Sequence, residues 1–422
     1  MKKHTFETFG ESVYEHALNG RLKTYFIPKT GFAKTFVMLK APIGSNHRHY
    51  HDGTEVQKIP AGAAHFLEHK VFEKDGEDLS QAFALHDAQI NAYTSPYETV
   101  YYFQCTRHLM TNIQMLSSLF FLPRFSEDGV EKEKGIILEE LNMRGDDPYQ
   151  KQYYALLKML FKDHPVTEEI IGTKESIQNM SKDILEAVHE AYYAAEKATL
   201  IIVGDHDAET LFAQLENEII LGQPTQKTPW DSPILHSLEP YESRQMTVGD
   251  VTVPSLMLAL KLPLEEKNNI LDEQLIYNFL FNLVFSSSSQ HYHEWLTHGW
   301  VTDSYQIDVS LMNAPAYALI ATDSHQPELF IQHFFEELER LEQWLDVTAF
   351  ERMKKSYMGS FIKSLDSLEG LANRLARYLE HGHILFDLWD NINAIDFETV
   401  KSKISALKKQ DRWAVHHLKP KV

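Results

Sequence analysis

Short alternating runs of apolar and polar residues open the chain, and spacings of three and four take over further on. Residues 22–27 and 35–40 are rich in β-branched and aromatic side chains and are bounded by Pro and Gly, which predicts two strands. A polar stretch over 44–58 reads as a loop. The run 60–72 then has helical spacing, with Pro60 suited to a first turn and Ala64, Leu67 and Val71 on one side. Asp78-x-x-Gln81 resembles a capping box that opens a second helix through His86. Residues 89–94 and 99–105 predict two strands joined by Ser95-Pro96-Tyr97-Glu98. Helical periodicity returns at 107–121, 130–144, 150–161 and 181–194. A buried-strand run over 199–205 leads into a helix that ends near Glu218.

Residues 222–244 hold three prolines within twelve positions and no periodicity, which marks a linker. The order of elements then restarts. Leu260-Lys261-Leu262-Pro263 echoes Leu39-Lys40-Ala41-Pro42. Helices are expected at about 266–285 and 289–298, strands at 305–311 and 316–322, long helices at 327–344 and 348–381, and a last strand at 412–418. The expected fold is α+β, with two similar halves, each a mostly antiparallel sheet covered by helices. Residues 1–221 form the first half and 245–422 the second.

Composition narrows the function. The 422 residues are 43% hydrophobic and 24% charged, enough for large cores. Lys and Arg total 40 against 60 Asp and Glu, a net charge of −20, which argues against nucleic acid or an anionic membrane as the main partner. Cys105 is the one cysteine, so an internal disulfide and a cysteine-rich metal site are excluded. The start of the chain turns polar at once, and no run approaches the ~18 apolar residues of a membrane span. A cytoplasmic protein is expected.

The chemistry gathers in the helix over 60–72, which carries His65-Phe66-Leu67-Glu68-His69. At about 100° per residue, His65, Glu68 and His69 share one face. Two imidazoles one turn apart can ligate one zinc ion, and the carboxylate between them can handle a water; His-x-x-Glu-His is the inverzincin signature. An ordinary solvated helix face has the same pattern, so a third ligand decides. Glu133 and Glu140 are seven apart and share a face with Ile136 and Ile137. Buried carboxylates need a compensating cation. The alternative is a helix end whose glutamates reach solvent or pair with Arg144 or Lys134. His47, His49 and His51 alternate in the polar stretch and read either as a second metal site or as a flexible surface loop.

Ala64-His65-Phe66-Leu67-Glu68-His69 resembles the insulinase/pitrilysin (M16) metallopeptidases. So do Asn91-Ala92-Tyr93-Thr94-Ser95, the strand that starts at Thr99, and Glu133-x-x-Ile136-Ile137-Leu138-x-Glu140. The resemblance implies one zinc ion per chain, held by His65, His69 and Glu140, with Glu68 as general base and Glu133 orienting a ligand histidine. It implies that Asn91, Ala92 and Thr94 bind the backbone of a peptide substrate added as an extra strand. Members of this family carry an Arg, then Gly and Tyr, in a later domain. Here Gly299 and Tyr305 stand at the matching place, and no Arg occurs from 245 to 339. Tyr305 fits either that role or a strand-core aromatic. The length and the missing Arg resemble the zinc-bearing chain of the short bacterial two-subunit type, whose partner is a zinc-less homologue in a heterodimer; a homodimer is the other arrangement. The implied activity is endopeptidase cleavage of short or unfolded peptides in a two-subunit chamber. The alternative is a structural subunit that keeps zinc without catalysis.

Overall fold

The computed structural model describes residues 1–421 except 75–76, 79, 231–236, 264–268 and 313–314, and only the backbone of 73–74, 77–78 and 290. Its strands are β1 (Lys2–Phe6), β2 (Glu11–Leu18), β3 (Leu22–Pro28), β4 (Thr35–Ala41), β5 (His49–His51), β6 (Val56–Lys58), β7 (Glu73–Lys74), β8 (Glu77–Asp78), β9 (Ala88–Thr94), β10 (Thr99–Cys105), β11 (Thr199–Gly204) and β12 (Thr228–Trp230). Beyond these come β13 (Arg244–Gly249), β14 (Ser255–Lys261), β15 (Gln306–Ser310), β16 (Tyr317–Asp323) and β17 (Trp413–Pro420). The helices that matter to the site are α1 (Ala63–Val71), α2 (Ser80–Leu85), α3 (Leu109–Phe121) and α4 (Glu127–Arg144).

The architecture is α+β with two similar halves. The first sheet has the order β1-β2-β3-β11-β4-β10-β9, the second β13-β17-β14-β16-β15. The last five strands of the first order correspond one for one to the five of the second. Each set has one parallel pair, β3 with β11 and β13 with β17, and is otherwise antiparallel. The Leu-Lys-x-Pro echo falls at the end of β4 and of β14, the middle strand of each set of five. Lys40 and Lys261 are both buried there. A lysine in that place must find acceptors; Lys261 Nζ donates to the carbonyls of Ser237 and Glu239, each at 2.9 Å.

Two compact units emerge, and they do not follow a single cut in the chain. One comprises Met1–Met143, Glu168–Pro233 and Leu365–Ala376; the other comprises Arg144–Thr167, Ile234–Ser364 and Arg377–Val422. The first unit's core packs α1 and α3 with β3, β4, β10 and β11 through Phe26, Val37, Leu39, Phe66, Leu67, Tyr101, Phe103 and Phe120. In the second unit the helix Pro148–Phe161 lays Leu156, Leu157 and Leu160 against Met257, Ala259 and Ala414 of the sheet. Among the described residues no helix is long and apolar enough to cross a membrane.

Several elements differ from expectation. β1 and β2 lie in a stretch whose strands the apolar pattern hides, because polar residues of β2 take side-chain partners: Glu11 pairs with Lys29, Glu15 with His4 and His16 with Glu216. The polar stretch 44–58 is structured around β5, which pairs with β6 on one side and β12 on the other. His49 and His51 are therefore strand residues, not part of a flexible loop. The long helix expected over 348–381 is two, Val347–Ser364 and Leu368–Leu379, because Ser367 Oγ accepts from Gly370 N at 3.0 Å and caps the second. The capping box at Asp78 and Gln81 and the start of the helix expected from 266 fall partly outside the described residues.

Candidate active site

Helix α1 begins later than the proline suggests. Pro60 lies in a turn before it, and Gly62, at φ 80°, is the N-cap. That left-handed conformation suits glycine. A Cβ on Gly62 would also meet the carbonyl oxygen of Ile171 at 2.3 Å, and one on Gly172, at φ 90°, would meet that of Ala61 at 2.7 Å. The two glycines thus let the backbone at 171–172 close against the start of α1. The helix buries Ala63, Ala64, Phe66, Leu67 and Val71. Tyr101 of β10 fixes it from below: its hydroxyl lies 3.3 Å from the Leu67 carbonyl and 3.0 Å from the Tyr193 hydroxyl. Burial pushes both phenols well above their usual pKa, and the charge of Glu68 adds to it in each. These tyrosines and Gly172 were not legible as site supports, since alternation predicts only that a strand residue is buried.

With its back buried, α1 presents His65, Glu68 and His69 together. Their rings stand close, the His65 and His69 centroids 4.6 Å apart. Helix α4 supplies the facing group. Ser126 caps its start, accepting from Gly129 N through Oγ and from Val130 N through its carbonyl. The seven-residue spacing then brings Glu133 and Glu140 to the same side. Glu140 Oε2 lies 3.7 Å from Nε2 of His65 and 3.7 Å from Nε2 of His69. Glu133, 7% exposed, places Oε1 2.9 Å from His69 Nδ1. Lys134 pairs with Glu131 instead of either glutamate. Ile137 is buried, but Ile136 is 46% exposed, so the shared face expected for the pair is apolar on one side only.

These donors fit a metal ion. His65, His69 and Glu140 each offer an atom within 4.8 Å of the others. A separation of 3.7 Å is too long for a hydrogen bond. It is close to the roughly 3.4 Å between two atoms that each lie ~2.1 Å from a tetrahedral zinc ion. The charge balance agrees. Burial alone would lower the His69 pKa, but the hydrogen bond and charge of Glu133, with the charges of Glu68 and Glu140, outweigh it and hold it above normal. Negative charge is thus in excess around the two imidazoles. Because Glu133 accepts from Nδ1, Nε2 of His69 is the nitrogen free to ligate.

Glu68 stands beside this triad with a different partner: Thr94 Oγ1 donates to its Oε2 at 2.6 Å. Thr94 ends β9, the edge strand of the seven-stranded sheet. The Ser95 N–H donates to the Glu98 carbonyl at 2.8 Å, so Thr94↔Thr99 and Ala92↔Tyr101 are the non-hydrogen-bonded pairs of the ladder. Backbone groups of Ala92 and Thr94 therefore face the open edge. The Ala92 N–H is held by Asn91 Oδ1 at 2.8 Å. Thr94 is thus brought to Glu68 of α1, with Ala92 and Asn91 further back along the same edge strand. Tyr305 is placed in the second unit just ahead of β15, its ring against Tyr292 and Trp295 and its hydroxyl donating to the Phe285 carbonyl at 2.9 Å.

A helix-borne His-x-x-Glu-His set that faces a carboxylate from a second helix is the donor arrangement of a zinc metallopeptidase. Comparison with known proteins agrees. Residues 55–174 match the family described as insulinase (peptidase family M16), and residues 179–357 match the peptidase M16 inactive domain. The chain is 31% identical over 433 residues, spanning all of both chains, to the uncharacterized zinc protease YmfH of Bacillus subtilis. It superposes on an M16-like peptidase from Alicyclobacillus acidocaldarius with a TM-score of 0.89 at 26% identity, covering 97% of this chain and 99% of that one. The fold also matches the periplasmic protease PqqL of Escherichia coli, with a TM-score of 0.74 at 18% identity over 96% of this chain and 47% of that one. The chain belongs to the M16 zinc protease family.

Proposed function

We propose that the protein is a zinc-dependent endopeptidase that cleaves short or unfolded peptides, with one zinc ion per chain held by His65, His69 and Glu140. The observation that carries this reading is the position of Glu68: beside the donor triad, outside it, and bonded to Thr94 at the edge of the sheet. A purely structural metal site needs no such carboxylate, which weighs against the reading of a structural subunit that keeps zinc. When bound, zinc supplies Lewis-acid activation of water and of the scissile carbonyl.

The protein's own groups do the rest. A peptide pairs with the open edge of β9, where the Ala92 N–H leaves Asn91 Oδ1 for a substrate carbonyl, and Thr94 offers its backbone one repeat further on. Glu68 takes a proton from the attacking water and returns it to the leaving amine. The Thr94 hydroxyl holds the Glu68 carboxylate in place for both transfers. Glu133 keeps His69 in the ligating tautomer.

The enclosing chamber forms from this chain and a second M16-type chain, a zinc-less homologue. The 47% coverage of single-chain PqqL is consistent with that arrangement, and so is the absence of Arg over 245–339. The test is Glu68→Gln. This variant is expected to bind zinc as the wild type does and to cleave an unstructured fluorogenic peptide ~10²–10⁴-fold more slowly. Cleavage at the wild-type rate would remove Glu68 from the chemistry. Full activity from a purified homodimer would reject the zinc-less partner.

A further inference from the structure

Residues 365–376 come late in the chain, yet they belong to the first compact unit. The helix Leu368–Leu379 meets that unit where β9 and β10 turn into each other. Tyr93 alternates with Ala92 and Thr94, so its ring lies on the sheet face away from Glu68. Its hydroxyl is 3.3 Å from Glu98 Oε1 and 3.4 Å from Asn373 Oδ1. Glu98 Oε2 accepts from Lys40 Nζ at 2.8 Å, and the same ammonium reaches the Ala376 carbonyl at 3.3 Å. Lys40 is 5% exposed.

The same turn is held by a second segment as well. Ser45 N donates to the Ser95 carbonyl at 3.1 Å, and Asn46 N to that of Pro96 at 2.9 Å. A Cβ on Gly44 would meet the backbone of 95–97 at 2.2–2.3 Å. A buried ion pair such as Lys40–Glu98 adds little net stability, because desolvation offsets its attraction. What it does supply is a fixed position. Position matters here because β9 has a β10 partner on one side only, and a peptide that adds to the other side takes its place from the strand it pairs with.

We propose that Tyr93 and Asn373, with Glu98 and Lys40, are positioning residues. They lock the edge strand from its back face so that Ala92 and Thr94 stand at the correct distance from the metal helix. A helix encoded in the last quarter of the chain thereby sets how a peptide seats on the first unit. This inference rests on the peptidase reading for its functional part and on geometry alone for its positional part.

Two variants test it, Tyr93→Phe, which removes one hydroxyl, and Asn373→Ala. Hydrogen exchange of the amides in 88–98 is expected to quicken up to about tenfold in each, the scale of one net hydrogen bond, while exchange in α1 and α4 stays the same. KM for an unstructured peptide is expected to rise about three- to tenfold, with kcat and zinc content unchanged. Wild-type exchange over 88–98 in both variants would overturn the proposal. So would a fall in kcat at constant KM. If the wild type, with and without a zinc-less partner, cleaves and binds no peptide, the peptidase reading fails and takes the substrate part with it; the exchange rates still decide the positional part.

Discussion

Replacing Glu133 tests whether the donor set is a metal site with an organised surround. The carboxylate is buried, and its Oε1 sits 2.9 Å from His69 Nδ1. A charge-assisted bond of this kind contributes about 1.5–3 kcal/mol, and loss of such an orienting partner costs ~10–100-fold in metal affinity. Glu133→Gln keeps an acceptor for Nδ1 and loses the charge, so zinc affinity should fall about tenfold. Glu133→Ala loses both and frees the imidazole to rotate, so the fall should approach a hundredfold, about 2.8 kcal/mol. Glu140→Ala removes a direct ligand and should weaken binding further still. Zinc dissociation constants measured by competition with a chromophoric chelator give all three values, with circular dichroism to establish that each variant is folded. If Glu133→Ala binds zinc within twofold of the wild type, the orienting role is wrong. If Glu140→Ala does so, the ligand set is wrong.

Gly62→Ala should destabilise strongly, because a left-handed φ costs an alanine about 1–2 kcal/mol before the contact with Ile171 is counted; an unchanged melting temperature would contradict the close approach of Gly62 to Gly172. Zinc at 100 times its dissociation constant should stabilise the folded protein by about 2.7 kcal/mol, and chelation should reverse this in the wild type while leaving Glu140→Ala unaffected. Acid should destabilise the protein through His291 and His416, whose pKa values burial pushes down to about 4. Both are neutral in the folded state and protonate near 6.5 when unfolded, so their contribution is present above ~6.5 and is lost as the pH falls through about 4, on the order of 3 kcal/mol each. Urea midpoints for His291→Phe should therefore fall less between pH 7 and pH 4.5 than those of the wild type, and an equal fall would refute the assignment.

The site was legible because it is built from spacing. His65, Glu68 and His69 fall on one face of α1 by helical geometry, and Glu133 and Glu140 face the same way across seven residues of α4. The two similar halves were legible from element order, and the strand sets β3-β11-β4-β10-β9 and β13-β17-β14-β16-β15 repeat it. Spacing does not report which side of a stripe meets solvent, so Ile136 was misplaced. Nor does it report long-range partners. β2 hid because Glu11, Glu15 and His16 draw on Lys29, His4 and Glu216, residues that local periodicity cannot see. Asn373 is separated from Tyr93 by 280 positions, and nothing in either neighbourhood signals the contact.

The late segment of the first unit also constrains the order of events during synthesis. Residues 1–233 can emerge and begin to collapse, but the unit they belong to lacks Leu365–Ala376 until that stretch leaves the ribosome. At ~5–20 residues per second the wait is roughly seven to thirty seconds. Throughout it, Tyr93 of the edge strand β9 lacks Asn373, and Lys40 lacks the Ala376 carbonyl. An unfinished edge strand is a template for wrong pairing. Nascent chains stalled before residue 365 should therefore be the aggregation-prone species, and chaperone capture should concentrate in that window.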